Sequence, residues 1–444
     1  MREKCGIYGG IFPNIAPELK RGLFSLQHRG QESCGVSVEE NGILKTVKGM
    51  GLVRDILTDK RISSLKSDMG IGHVRYSTAG TSETINAQPL ELTYKGSKVA
   101  LAHNGNLEDQ EEILRDIEDA GQIFLTNTDT EVFFHKLVQH FKTPPIEWEP
   151  IQMAKVLFEL KGAFSLLFLF EDKVVAIRDP LGYRPLWIRK DGNSVLFSSE
   201  DSAFPEGGEV MEMEPGSVAM AKKNGFFYQR LEKRKARQCV FEYIYFSRPD
   251  SNTFGKSVYE VRQKLGEKCA DENPVEADVV IPVMDSGLLA AIGFSRRSGI
   301  PLEPALIRNP WVGRTFIEPV ARSNAVKMKL SVVSKVLKGK RVVLVDDSIV
   351  RGTTAKRIVN LIRDAEPSEI HFRVASPPVL SECFWGIDIA NKDHLIARKG
   401  IEETKKHLNV DSLSYLSLEG MCEVLGGCEN FCFKCFKGDV WCEL

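Results

Sequence analysis

Three groups of residues have types and spacings that could do chemistry. The first is Arg341-Val-Val-Leu-Val-Asp346-Asp347-Ser348-Ile-Val350-Arg351-Gly352-Thr353-Thr354. Four apolar, mostly β-branched residues predict a buried strand. Two acids stand where it ends, and a short Gly/Thr loop leads into helical spacing over 355–363. A loop entering a helix N-terminus offers backbone N–H groups to a phosphate. The paired carboxylates can accept ribose hydroxyls or face a magnesium ion. Together these describe a ribose-5-phosphate site. The second group begins with the thiol of Cys5 in Cys5-Gly6-Ile7-Tyr8-Gly9. Distant segments accompany it: Arg75 at a strand end, a turn over 86–89, and Asn104-Gly105, a pair of strong turn character. Asp129 stands at a helix start, and 179–186 reads as a rigid turn. The third group is Cys432-x-x-Cys435 with Cys239 and Cys383. Four thiolates suit tetrahedral zinc or a [4Fe–4S] cluster, and spacing leaves both open. Cys422, Cys428 and Cys442 compete for these roles.

These residues need elements to hold them. Up to about 230, strand-like runs alternate with turns such as Asn41-Gly42, Lys95-Gly96 and Asp191-Gly192, and helical patterns lie near 16–27, 108–119, 128–141 and 150–161. This predicts antiparallel sheet with helices, an α+β domain over 5–230. The basic run 231–238 reads as a solvated linker within a junction over 231–254. Over 255–444 the order becomes helix (258–270), strand (279–283), helix (288–298), strand (341–345), helix (353–364), strand (369–374). That alternation predicts an α/β domain with a parallel sheet and helices on both faces. Its ligand would bind at the carboxyl ends of the strands.

The bulk numbers exclude several classes. The chain has 444 residues and a net charge of −1, so nothing points to nucleic acid or an anionic membrane as partner. The apolar run 163–170 is too short to span a bilayer. No signal peptide is visible, which predicts a cytoplasmic protein. Ten cysteines in such a chain argue for thiols, metal or catalysis rather than a disulfide scaffold.

The Asp346-Asp347 string resembles the signature of the type I phosphoribosyltransferases, which bind 5-phosphoribosyl-1-pyrophosphate (PRPP). The Cys5, Arg75, Asn104-Gly105, Asp129 and 179–186 segments resemble the class II glutamine amidotransferase domain, an N-terminal-nucleophile hydrolase. With 241–250 and Gly313-Arg314-Thr315-Phe316, they resemble the amidophosphoribosyltransferase (glutamine PRPP amidotransferase) family. The cysteine contexts resemble its iron–sulfur subgroup with a short propeptide.

The resemblance implies a four-layer αββα sandwich followed by a type I phosphoribosyltransferase domain. It implies glutamine-dependent amination of PRPP to 5-phosphoribosylamine, the first committed step of purine synthesis. Residues 1–4 would be removed, freeing the Cys5 amine as the base for its own thiol. Asn104 and Gly105 would stabilise the oxyanion, Arg75 the glutamine α-carboxylate and Asp129 its α-ammonium. Asp346 and Asp347 would hold the ribose hydroxyls or Mg²⁺, with Ser286 as a further Mg²⁺ ligand. Ser348, Val350, Arg351, Gly352, Thr353 and Thr354 would surround the 5-phosphate. Arg314, Arg322, Lys327 and Lys329 would offset the pyrophosphate charge from a lid over 308–330. A [4Fe–4S] cluster would be held by Cys239, Cys383, Cys432 and Cys435.

Feedback purine nucleotides and a homo-oligomeric state, dimer or tetramer, are also implied. Two departures fall on pyrophosphate recognition: Met284 and Leu288 flank Asp285-Ser286-Gly287, and the lid is about two residues short and lacks a glutamine after Pro319. The competing reading is a nucleotide-sensing regulatory protein with a silent glutaminase. Glucosamine-phosphate synthase would need sugar-isomerase domains that are missing from this sequence.

Overall fold

The strand Gly6–Ile11 shows how the first half is layered. Ile7 and Ile11 turn into a core shared by two sheets, whereas Tyr8 faces the helix Ile15–Ser25. Burial on both faces follows from the period of two. The computed structural model describes residues 5–76, 83–108, 110–309, 330–383, 385 and 392–437.

One antiparallel sheet has seven strands, with Gly6–Ile11 paired between Ser194–Ser198 and Met69–Arg75. The other has six, with Ser97–Leu107 paired between Gly162–Leu169 and Leu90–Tyr94. The sheets face each other across Ile7, Ile71, Ala102, Leu167 and Ile188. The helices Asp129–His140 and Pro150–Leu157 cover the far face of the second sheet, completing an αββα sandwich. The hairpins at Asn41-Gly42 and Lys95-Gly96 are two-residue loops with positive φ at both positions, as mirror-image turns require. The third hairpin turns at Gly192-Asn193, one residue later than the Asp191-Gly192 pair predicts.

The second half is a parallel sheet. Val279–Pro282, Arg341–Asp346, Glu369–Val374 and Ser412–Tyr415 lie side by side, and Val280 adds a parallel bridge to Leu302 on the outer flank. The spatial order is therefore 2-1-3-4-5 in chain order, with a switch point between 279–282 and 341–346. Val343 and Val345 pack with Leu265 and Phe294 on one face, while Val342 and Leu344 pack with Ile358 and Ile362 on the other. Helices lie on both faces as expected, with element ends within one or two residues of the sequence reading.

Two features of the junction differ from a plain linker. After the exposed residues 233–235, the chain forms the short strand Gln238–Cys239 and a π-helical turn, Glu242–Phe246. The C-terminal stretch returns to pair Phe431–Cys432 in parallel with that strand. Cys422 and Cys428, two of the competitors for the thiol centre, instead form a disulfide at the end of the helix Leu418–Leu425. The two thiols are only six residues apart, across the Gly426-Gly427 turn. Among the described residues no helix is long and apolar enough to cross a membrane.

The helices Val258–Glu272 and Leu288–Ser298 touch backbone to backbone. A Cβ on Gly266 would lie 1.9 Å from the Ala290 carbonyl oxygen, and one on Gly293 would lie 2.0 Å from that of Gln263. Only glycine fits at either point. Gly293→Ala should therefore cost about 1–3 kcal/mol or more by forcing the pair apart, whereas Gly225→Ala, in open space, should stay within about 0.5 kcal/mol. Urea unfolding of the two variants checks this.

Candidate active sites

The sandwich brings the Cys5 group together at one end of its strands. Cys5 precedes Gly6–Ile11, and Gly6 pairs with Val74, so Arg75 ends the neighbouring strand beside it. The Cys5 thiol is buried and contacts the Tyr76 carbonyl at 3.6 Å. Arg75 is buried, with Nη1 3.0 Å from the Glu32 carboxylate. Ser199 joins two strands: its Oγ accepts from Ile7 N–H at 3.0 Å and from the Asn104 amide at 3.4 Å. Asp129 Oδ2 accepts from Leu107 N–H at 3.0 Å, just past Asn104-Gly105-Asn106. Asp129 is the first helical residue, and Thr128 is the cap.

The Asn104-Gly105 turn is a correction. Both residues lie inside the eleven-residue strand Ser97–Leu107, opposite Ser165 and Phe164. The partner strand Gly162–Leu169 supplies a ladder that overrides the local turn preference. Gly105 is still required, because its φ is +151° and a Cβ would lie 1.9 Å from the Ala163 carbonyl oxygen. Buried groups brace the preceding residue. Gln88 Oε1 accepts from His103 N–H at 2.7 Å, and His73 Nε2 lies 2.9 Å from His103 O. Burial brings the His73 imidazole down to about 3, so the neutral ring donates that bond.

Behind Cys5 lies a buried charge network that the sequence reading missed. Arg29 Nε donates to Cys5 O at 3.0 Å; Nη1 meets Glu200 at 2.6 Å, and Nη2 meets Glu242 at 2.8 Å. His28 lies 2.7 Å from Glu200, and Arg184 lies 3.2 Å from Glu242. Burial alone would raise Glu200, but the charges of His28 and Arg29 bring it well below the usual carboxylate range. Glu242 is likewise lowered, burial being outweighed by Arg29 and Arg184. No sequence signal marks such residues, because a buried ion pair reads like any surface charge.

The second site opens at the switch point of the parallel sheet. A cleft of about 480 Å³ is lined by Tyr245, Met284, Ser286, Leu330, Asp346 and Asp347, and by every residue from Ser348 to Ala355. Gly352, at φ 70°, caps the helix Thr353–Arg363, whose N-terminus faces the loop. Ser286 Oγ donates to Asp347 Oδ1 at 3.1 Å, and Ser348 Oγ to Oδ2 at 3.3 Å. Asp347 N–H donates to Asp346 Oδ1 at 2.9 Å. Burial pushes Asp346 well above the usual carboxylate range, and the Asp347 charge adds to it. Paired acids with that conflict suit a cation or ribose hydroxyls. Arg308 forms an ion pair with Asp285, between the cleft-lining Met284 and Ser286. Arg314, Arg322, Lys327 and Lys329 lie outside the described residues, as do residues 1–4 and Cys442.

Arg262 connects this cleft to the junction. Its Nε donates to Tyr243 O at 2.6 Å and its Nη2 to Ser247 O at 2.8 Å, and Asp347 is the first charge acting on it.

The four cysteines also converge. Cys239 and Cys432 are partners on the parallel bridge, and Cys435 follows in the helix Lys434–Lys437. Burial pushes the Cys239 thiol up to about 12, and Cys383 is among the charges acting on it. The Cys435 thiol is raised by burial, then by Cys383, Cys432 and Cys239. None of the four is in a disulfide. Among the described residues, no three His, Cys, Asp or Glu side chains are already set as a metal cage.

Known proteins share both halves. Residues 73–206 match the glutamine amidotransferase domain, and 255–376 match the phosphoribosyl transferase domain. Amidophosphoribosyltransferase 2, chloroplastic, of Arabidopsis thaliana is 44% identical over 448 residues, 99% of this chain and 79% of that one. The amidophosphoribosyltransferase of Methanocaldococcus jannaschii is 43% identical, over 98% of this chain and 97% of its own. The chain belongs to the amidophosphoribosyltransferase family. A solved family member, glutamine PRPP amidotransferase from B. subtilis complexed with ADP and GMP, superposes with a TM-score of 0.89 at 40% identity, covering 97% of this chain and 96% of that one. The reaction is therefore glutamine-dependent amination of PRPP to 5-phosphoribosylamine, glutamate and pyrophosphate, the first step of purine biosynthesis. The silent-glutaminase alternative gains no support.

The buried network sets a pH dependence. Glu200 and Glu242 have folded values below their unfolded value of about 4.3. Their contribution is present above that pH and is lost as pH falls through the folded values. Glu242→Gln leaves Arg29 and Arg184 undercompensated, and should cost about 3–5 kcal/mol at pH 7. It should also flatten the acid loss of stability below pH 5. Urea unfolding at several pH values from 7 downward reads both effects.

Proposed function

We propose that Cys5 is the nucleophile of the glutaminase half and that Asp346-Asp347 and the loop after them bind PRPP. The carrying observation is the Ser199 bridge, which places the Asn104 amide against the strand that Cys5 opens. Removal of residues 1–4 would expose the Cys5 α-amine, with a reference pKa of about 8, as the base. The thiol gives its proton to that amine and attacks the glutamine amide carbon. The Asn104 amide and Gly105 N–H hold the oxyanion, and the proton leaves on ammonia. Water then hydrolyses the thioester to glutamate and frees the thiol. Arg75 suits the α-carboxylate and Asp129 the α-ammonium.

Ammonia released into water at neutral pH would be protonated, so it must reach PRPP without leaving the protein. It attacks C1 as pyrophosphate departs. Asp346, Asp347 and Ser286 are the groups that would hold Mg²⁺, which when bound offsets charge on the pyrophosphate. Ser348, Val350, Arg351, Gly352, Thr353 and Thr354 surround the 5-phosphate, and Arg314 and Lys329 would act from the lid. The domain limits are 5–230, 231–254 and 255–444. A homo-oligomer in the cytoplasm, inhibited by purine nucleotides, fits this reading. The printed ADP and GMP of the B. subtilis relative support the nucleotides.

For the thiols we favour a [4Fe–4S] cluster on Cys239, Cys383, Cys432 and Cys435. Cys239 and Cys432 are bridge partners, Cys435 follows in the next helix and Cys383 packs against the same cluster, while the rivals Cys422 and Cys428 bond to each other. The cluster would tie the C-terminal stretch to the junction.

Cys5→Ser should abolish glutamine-dependent synthesis while ammonia-dependent amination of PRPP stays measurable. Equal loss of both in folded protein refutes the division. Anaerobic protein should contain about four iron and four sulfide per chain. Cys383→Ser should lose them, whereas Cys34→Ser and Cys269→Ser should not. Stoichiometric zinc without broad visible absorbance would sink the cluster.

A further inference from the structure

The strand Leu90–Tyr94 stops short of the functional end of its neighbour, Ser97–Leu107. Leu90 lies opposite Leu101 and Glu91 opposite Ala100, so a continued ladder would set Gln88 opposite His103. Backbone pairing ends at Leu90, after a proline that has no N–H to give, and the Gln88 side chain takes over. Gln88 Oε1 accepts from His103 N–H at 2.7 Å, and Gln88 Nε2 donates to the Thr130 hydroxyl at 2.8 Å. A backbone N–H can only donate, which fixes the way round of the amide. His103 directly precedes Asn104-Gly105, and Thr130 directly follows Asp129. One primary amide therefore ties the strand that carries Asn104 and Gly105 to the helix start that carries Asp129.

The amide is itself held from behind. Lys48 Nζ donates to Ala87 O at 2.6 Å, and Asn86 Nδ2 donates to Asn127 Oδ1 at 2.6 Å. A Cβ on Gly35 would lie 2.6 Å from Gln88 O, so a third strand seats closely against the same segment. Gln88, His103, Asp129 and Thr130 are each no more than 3% exposed, so bulk water does not replace either bond.

We propose that Gln88 is a positioning residue that sets the spacing between the Asn104-Gly105 oxyanion donors and Asp129. That spacing matches the site to glutamine, whose side-chain amide and α-ammonium are a fixed number of bonds apart. The proposal rests on the reading of Cys5 as nucleophile and of Asn104, Gly105 and Asp129 as glutamine contacts. Its test uses mature protein beginning at Cys5, with saturating Mg²⁺ and PRPP. Glutaminase kcat and KM, ammonia-dependent synthesis and labelling of Cys5 by two reagents are measured. The glutamine analogue 6-diazo-5-oxonorleucine carries the α-ammonium and needs both ends of the site, whereas iodoacetamide needs only the thiol.

Gln88→Met keeps the side chain's length and loses both hydrogen bonds. It should lower glutaminase kcat/KM about tenfold or more and slow labelling by the diazo analogue by the same factor. Iodoacetamide labelling of Cys5 and ammonia-dependent synthesis should stay within about twofold. Thr130→Val breaks only the Asp129 side, and should raise glutamine KM about tenfold with kcat within about twofold. Thr130→Ser keeps the hydroxyl and should keep the wild-type KM. Labelling of Gln88→Met by the diazo analogue at the wild-type rate overturns the proposal. Equal slowing of both reagents also overturns it, since that marks damage to the Cys5 end alone. If Gln88→Met does not fold, the Thr130 pair decides: equal KM in Thr130→Val and Thr130→Ser overturns the proposal. Two controls separate the failures. Wild type that the diazo analogue does not label at Cys5, or Asp129→Asn with the wild-type glutamine KM, sinks the glutamine-site reading and the staple with it. Labelled Cys5 and an impaired Asp129→Asn beside an unaffected Gln88→Met sink the staple alone.

Discussion

Two carboxylates and two guanidiniums buried where the halves meet are the constraint around which the rest is arranged. Glu200 takes Arg29 and His28 on one oxygen, and Arg248 N–H and the Ser251 hydroxyl on the other. Glu242 takes Arg29 on both oxygens, with Arg184 on one and the Ser247 hydroxyl on the other. Burying such charges is expensive, and the loss is recovered only when nearly every lone pair and proton is matched. That demand fixes the relative position of four stretches far apart in sequence: 28–29, 184, 200 and 242–251. An apolar interface of the same area would tolerate sliding. This one does not, because a shift of one ångström would strand a charge. The Cys5 carbonyl is therefore held in register with the junction.

The second site depends on the same junction from the other side. Arg262, on the first helix of the second half, donates to two junction carbonyls, those of Tyr243 and Ser247, and so ties that helix to the π-helical turn. Tyr245, from that turn, lines the cleft at the switch point of the parallel sheet. The two chemistries thus sit on unrelated sheets but lean on a single seventeen-residue connection, 238–254. The cleft itself is where an open parallel sheet must leave a crevice, at the point where strand order reverses.

The sequence was legible wherever one local pattern carried the information. The Val-Val-Leu-Val-Asp346-Asp347 run, the helices 288–298 and 353–363 and the Asn41-Gly42 hairpin all follow from period and turn chemistry. Reading failed where a distant strand or a buried partner decided. Asn104-Gly105 is a good turn in isolation, yet eight residues of pairing with 162–169 stretch it flat. Arg29, Glu32, Arg184, Ser199 and Glu242 look like surface residues, since polarity predicts exposure and nothing local announces a matching charge as far as 171 or 213 positions away. The cysteines fall between these cases. The Cys-x-x-Cys pair was evident, but which of the others join it and which bond to each other depends on how residues 418–437 fold back over the junction.

The close approaches of Gly266 to Ala290 and of Gly293 to Gln263 bear on how the molecule can move. The first of the two helices starts just after the junction and carries Arg262; the second starts at Gly287, directly behind the Met284-Asp285-Ser286 loop. At those two points backbone touches backbone, with no side chain between to rotate or slide. The pair is in effect one solid lever with Arg262 on one helix and the 284–286 loop at the start of the other. Amide protons of the two helices, 258–272 and 288–298, should therefore exchange with solvent as one cooperative block, through openings that release both helices rather than either alone.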